Sequence, residues 1–202
     1  MVLKALQYNL PVNDIEFDML YPKHIQKLSN IHWTSIDVAR KASIFLVNKP
    51  NVKVLDIGSG VGKFCIVGAL TTLGNFYGVE QRNEFVDITK KIILENRISN
   101  FKTLHSNIID INFLDYDSFY FFNSFYENID ETRVIDHNAR ISTNCYTEYR
   151  DYMYQQLSFA PIGTRLATYY SLYSEIPPCY KIIETHFNNH LVFWIKDKAL
   201  DW

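Results

Sequence analysis

The sequence predicts an α/β fold built on a mostly parallel sheet of seven strands, and three observations predict it. Short β-branched or aromatic runs alternate with apolar-periodic segments of helical length from residue 36 onward. The first run, 52–57, leads into Asp56-Ile57-Gly58-Ser59-Gly60-Val61-Gly62, with glycines at alternate positions directly before an apolar segment. The last two runs, 180–186 and 190–196, meet around Asn188-Asn189 as an antiparallel hairpin.

Residues 1–30 carry mixed charge, two prolines and scattered apolar side chains. They read as a loosely structured N-terminal extension with a short helix over 22–28, ahead of a principal domain over 31–202. The extension is expected to pack on that domain or to lid its site. Ile36, Ala39, Ala42 or Ser43, and Leu46 with Val47 recur at helical spacing, and Asn48-Lys49-Pro50-Asn51 stops the helix. Thr34 or Ser35 is expected to cap it through a hydroxyl. Strand 52–57 is followed by a helix over 61–72, apolar nearly all round, as suits a helix lying on a sheet. Strand 76–80 ends at Glu80, about 20 residues past Gly58, where an acid can accept both hydroxyls of a ribose.

A helix over 83–97 has Phe85, Ile88, Ile92 and Ile93 as its apolar stripe. Strand 101–105 leads to Ser106-Asn107-Ile108. This triplet is either a turn capped by Asn107 or a polar-plus-apolar pair that flanks a ring. The acid-rich connection 110–117 precedes strand 118–122, aromatic and continuous like a central buried strand. It ends at Asn123, where open α/β sheets place chemistry. Residues 127–142 form a polar loop containing His137. A helix over 142–157 shows Tyr146, Tyr149, Tyr152, Met153 and Gln156 at helical spacing, and strand 165–172 follows.

Composition is that of an ordinary globular chain: 202 residues, 48% hydrophobic, 21% charged, and 15% aromatic. A net charge of −2 and a pI of about 6.3 imply no general electrostatic hold on nucleic acid. Cys65, Cys145 and Cys179 show no zinc spacing, no metal site is expected, and three free thiols suit a reduced, cytoplasmic compartment. Met1 to Gln7 is too short and too soon polar for a signal peptide. No apolar run approaches the ~20 residues of a membrane span.

Strand, glycine turn and helix together let a backbone approach an adenosine-type ligand closely. A P-loop needs G-x-x-x-x-G-K-[ST]; here Ile57 stands for its first glycine and Phe64 for its hydroxyl. A dinucleotide fingerprint needs G-x-G-x-x-G, and Lys63 occupies its third glycine. The spacing D-x-G-x-G-x-G instead resembles motif I of the S-adenosylmethionine (SAM) dependent methyltransferases.

Over residues 31–196 the chain resembles the class I, seven-β-strand members of that group. The resemblance implies a Rossmann-like three-layer sandwich with strand order 3-2-1-4-5-7-6. Within the class it is most similar to the non-SET, disruptor-of-telomeric-silencing-type lysine methyltransferases. Thr34-Ser35, Asp56 to Gly62, Tyr77-Gly78-Val79-Glu80 and Phe121-Phe122-Asn123-Ser124-Phe125 carry the likeness. It implies SAM as cofactor, with Thr34 near the methionine part and Asp56, Gly58, Ser59, Gly60 and Gly62 lining it. Glu80, with Gln81 beside it, holds the ribose. Asn107 and Ile108 flank adenine, and Asn123 sits near the sulfonium. Ser124 replaces the family's second asparagine, Ile31 its tyrosine and Lys63 its glutamine, and the basic nucleosome-binding extension is missing.

Asn123-Ser124-Phe125-Tyr126 also loosely resembles the N-P-P-Y motif of amino-group methyltransferases, with both prolines replaced. The expectation is an N-methyltransferase with Asn123 and Tyr126 as catalytic residues. Phe122, Phe125, Tyr126 and Tyr146 or Tyr149 would wall the acceptor channel, and a protein lysine is the first acceptor. A nucleic-acid or small-molecule methyltransferase and a non-catalytic SAM-fold binding subunit are the alternatives.

Overall fold

A computed structural model describes residues 2–125, 128, 135 and 142–200. Seven strands form one sheet: β1 (Lys53–Ile57), β2 (Asn75–Glu80), β3 (Phe101–His105), β4 (Ser118–Phe121), β5 (Arg165–Tyr169), β6 (Tyr180–His186) and β7 (Leu191–Lys196). Their order is β3-β2-β1-β4-β5-β7-β6. β3, β2, β1, β4 and β5 pair in parallel, while β7 runs antiparallel to both β5 and β6. In the outer pair the register shifts between Ile182 and Glu184.

Strand period divides the core into two. Val54, Phe76, Tyr120, Ala167 and Phe193 face one layer of helices. Leu55, Val79, Phe119, Phe121, Leu166 and Trp194 face the other. The first layer holds α5 (Ile36–Leu46), α6 (Lys63–Thr71) and α7 (Asn83–Asn96). The second is thinner and holds α8 (Thr143–Phe159) with two short 3-10 turns, Ile108–Asp110 and Phe113–Asp115. Helix α8 buries Cys145, Tyr149, Met153 and Leu157, a clean four-residue spacing. Of the stripe expected from sequence, Tyr149 and Met153 lie on this line, while Tyr146 and Tyr152 only rim it. No described helix is long and apolar enough to cross a membrane.

The N-terminal segment is more ordered than its composition suggests. Four short helices, α1 (Val2–Gln7), α2 (Asp14–Asp18), α3 (Lys23–Gln26) and α4 (Ser29–His32), precede α5. Leu6, Phe17, Tyr21 and Ile25 are buried in the same core cluster as Val54 and Ile66, and α1 lies on α6. Helix α6 is therefore covered on nearly all sides, and residues 63–69 are all buried.

Neither hydroxyl expected to cap α5 does so. Ser35 makes no side-chain cap bond, and Thr34 pairs instead with the Tyr120 hydroxyl at 2.8 Å. The Ile36 N–H is satisfied from a distance in sequence, by Asp14 Oδ1 at 3.0 Å.

Because α1 shares its core with the sheet, Leu6→Ala should lower stability by about 2–5 kcal/mol. Chemical unfolding followed by far-UV circular dichroism should show one cooperative transition at a lower midpoint. A separate early transition would mean that α1 unfolds independently.

Candidate functional site

The carboxyl ends of β1, β2 and β4 open onto one cleft, bounded on a fourth side by residues 31–34. The turn after β1 forms its floor. Gly58 has φ +74°, and a Cβ there would lie 2.4 Å from the Ser124 Cβ. Only glycine meets both demands. Ser124 Oγ donates to the Ile57 carbonyl at 2.6 Å, tying the end of β4 to the end of β1. Gly60, at φ +53°, has the Trp33 ring 2.3 Å from the position of a Cβ.

Glu80 ends β2 almost fully buried. Its Oε2 accepts the Gly60 N–H at 3.0 Å and its Oε1 the Arg82 N–H at 2.8 Å. The Arg82 guanidinium lies 3.7 Å from Oε1. One carboxylate thus joins the turn after β1 to the turn after β2.

Asp56, in β1, is 3% exposed, and Cys65 Sγ donates to its Oδ2 at 3.5 Å. Burial pushes Asp56 up to about 8; the Cys65 bond opposes the shift and the nearby Glu80 charge adds to it. Burial likewise pushes the Cys65 thiol up. Ser59 Oγ is buried without a partner and rests over Gly78, where a Cβ would be 2.6 Å away.

Thr34, Asp56, Gly58, Ser59, Gly60, Glu80, Gln81, Asn107, Ile108 and Asn123 all line this cleft. Gly62 does not: it is the N-cap of α6, and its missing Cβ faces Phe101 and Thr89. Asn107 takes the turn role. Its Oδ1 accepts the Ile109 N–H at 3.3 Å, and its Nδ2 donates to the Tyr149 hydroxyl at 2.9 Å. Asn123 follows β4 with φ +41°, a left-handed conformation that asparagine tolerates better than most residues. Tyr126 and His137 lie outside the described residues. Phe122, Phe125 and Tyr149 line the cleft as expected of channel walls, but Tyr146 does not; its hydroxyl donates to Glu175 at 2.9 Å.

Sequence reasoning passed over Trp33, Arg82 and Tyr120. Trp33 adjoins Thr34, so its position was a readable signal. Tyr120 read as strand core, and its ring does stack on Phe64 at 3.8 Å while its hydroxyl reaches the cleft. Arg82 carried no local signal.

No protein-family model matches the sequence, and no curated protein matches it significantly. Solved structures do match. A methyltransferase from Geobacter sulfurreducens aligns at a TM-score of 0.63 and 12% identity, over 96% of this chain and 95% of that one. Magnesium protoporphyrin IX methyltransferase (ChlM) from Synechocystis PCC 6803, solved with bound SAM, aligns at 0.59 and 15% identity, over 90% and 89%. The [4+2]-cyclase SpnF aligns at 0.52 and 15% identity, over 66% of this chain. The chain spans 43% of SpnF and 52% of TrmN from Thermus thermophilus, about half of each. The fold is therefore the Rossmann-like, seven-stranded methyltransferase fold, in which SpnF carries a different named activity.

Asp56 makes stability depend on pH. In the unfolded chain it ionises near its ordinary value of 3.8, whereas in the fold it keeps its proton until about 8. Below the lower value both states are protonated. Between the two values the unfolded chain has released a proton that the fold still holds, so the Asp56 contribution shrinks as pH rises, and it is gone above the upper value. Urea unfolding at intervals from pH 5 to pH 8 should show this decline, and Asp56→Asn should flatten it.

Proposed function

We propose that the chain is a SAM-dependent methyltransferase, acting on a nitrogen, with a protein lysine amine as the acceptor. The single observation that carries the cofactor reading is the joint built by Glu80. A buried acid at the end of β2 holds the glycine turn by the Gly60 N–H and lines the cleft, at the strand end where a carboxylate meets ribose hydroxyls. An acceptor at this position suits an adenosine with free ribose hydroxyls and no pyrophosphate. The α6 N-terminus, where a phosphate would seat, carries Lys63 already paired with carboxylates.

The remaining residues fit the same ligand. Val79 and Ile108 offer apolar surface in the cleft for a purine, beside the polar Ser106 and Asn107. Gly58 and Gly60 line the cleft where the amino-acid part would lie, with Ser124 and Trp33 packed against them. Asp56, protonated at neutral pH while the cleft is free, gains a reason to ionise when a cationic ammonium arrives. Bound SAM would supply a methyl group on a sulfonium, poised for in-line displacement.

What this chain supplies is alignment and exclusion of water. Holding the acceptor at ~3 Å in line accounts for much of the rate of such a step. An amine must be neutral to attack, and a lysine starts near pKa ~10.4. Phe122, Phe125 and Tyr149 are apolar walls that disfavour the charged form there. Asn123 can accept an N–H through its side-chain oxygen and orient the nitrogen without adding charge.

A small-molecule acceptor is the second reading. It is favoured by ChlM, whose name gives magnesium protoporphyrin IX as its substrate and whose chain is matched over 89% of its length.

Calorimetric titration with SAM and with S-adenosylhomocysteine should give micromolar binding, weakened by Glu80→Ala. No binding to the wild type would sink the cofactor reading. Asn123→Ala should lower methyl transfer by about 100-fold while keeping most of the affinity for S-adenosylhomocysteine. Unchanged turnover in that variant would remove Asn123 from the chemistry. A screen of peptides against small molecules, read by tritiated methyl incorporation, decides between the two acceptor classes.

A further inference from the structure

Lys63 opens α6, one residue past the glycine turn, and is only 2% exposed. Its Nζ lies 2.7 Å from Asp14 Oδ1, 2.7 Å from Asp18 Oδ1 and 3.4 Å from Ser29 Oγ. Each carboxylate also holds a second group, Asp18 through its other oxygen and Asp14 through the same one. Asp18 Oδ2 accepts the hydroxyl of Ser29, the first residue of α4. Asp14 Oδ1 accepts the N–H of Ile36, the first residue of α5. Between Ser29 and Ile36 run His32, Trp33 and Thr34, one wall of the cleft.

A buried ammonium is tolerated only with partners that satisfy it. Lys63 therefore requires carboxylates at this spot, and α2 delivers both. The second negative charge is met by the N-terminus of α5, whose free N–H groups favour an anion. One side chain thereby grips segment 29–36 at both ends. The segment's middle then has fixed seats: the Trp33 ring against bare Gly60 and edge-on to Phe85 at 5.5 Å, and the Thr34 hydroxyl on Tyr120.

We infer that Lys63 is a positioning residue for the cleft. By holding Asp14, Asp18 and Ser29 it sets where Trp33 and Thr34 stand over the glycine turn. That these two residues meet a bound cofactor rests on the function proposed above; the tether itself does not. Loss of a plain stabilising ion pair would lower the stability of the whole domain evenly. A tether acts on one segment.

The test is hydrogen exchange read by mass spectrometry on the full chain without ligand, comparing wild type, Lys63→Met and Asp14→Ala. In Lys63→Met, peptides spanning 29–36 should exchange at least about tenfold faster, while peptides of β1 and β7 keep their rates. Equal acceleration everywhere, or none in 29–36, overturns the inference. Asp14 is partly exposed, so Asp14→Ala serves where Lys63→Met does not fold. It should speed exchange at the Ile36 end of the segment, and unchanged rates there also overturn the inference. Titration of the same samples with S-adenosylhomocysteine should show Kd raised about tenfold in Lys63→Met, because the cleft wall is released. Faster exchange with unchanged Kd would overturn the link from tether to cleft. A wild type that binds nothing would overturn the cofactor reading instead, and the exchange pattern would then decide the tether alone.

Discussion

Helix α6 lies among the sheet, α5 and α1, and its first residue carries a charge that water does not reach. Carboxylates must therefore come to Lys63, and the chain before residue 30 is what brings them. Asp14 and Asp18 reach it from α2, and Phe17 goes into the core beside the ammonium, with its ring centroid 5.4 Å from Nζ. Tyr21 and Ile25 follow Phe17 into the same core. The polar contact fixes direction and the apolar burial fixes depth. Neither does both, since a pair of this kind offsets its own desolvation at best.

A second carboxylate performs a related task at the other side of the turn. Glu80 accepts one N–H from each of the two loops that meet over the sheet. Ser124 closes the third side by bonding the Ile57 carbonyl. The cleft is thus framed by side-chain bonds to backbone groups at the ends of β1, β2 and β4. The parallel sheet sets these three sides, and segment 29–36 sets the fourth. Asn123 stands where this frame meets the aromatic walls, with its backbone in a region that most residues avoid.

The sheet was legible because the physics that forms it is local in sequence. Continuous apolar runs and glycines at every second position are each read within a few residues, and the acid at the end of β2 follows about 20 residues past Gly58. Strand order came from resemblance, and the pairing of β3, β2, β1, β4 and β5 agrees with it. What escaped was non-local. The cap of α5 is supplied by a side chain 22 residues upstream, which no local rule for helix ends detects. Helices of four to six residues are too short to show a period, and of the first four only α3, within the expected 22–28, was read. They exist because tertiary burial holds them. On α8 the tyrosines dominated the pattern, yet Cys145 and Leu157 help draw the buried line. Lys63 was visible as a substitution in the motif; its role depended on partners that only the fold brings near.

The outermost strand, β6, presents Ile182 and Ile183 to solvent, both exposed. A flat edge with such side chains would be a template on which another chain's strand could add itself. The register break between Ile182 and Glu184 interrupts the regular row of donors and acceptors at that point and increases the local twist. Lys181 and Glu184 place charge beside the two isoleucines. The irregularity in the hairpin thus acts as a guard against sheet-to-sheet polymerisation, and a substitution that straightened β6 would be felt first as aggregation.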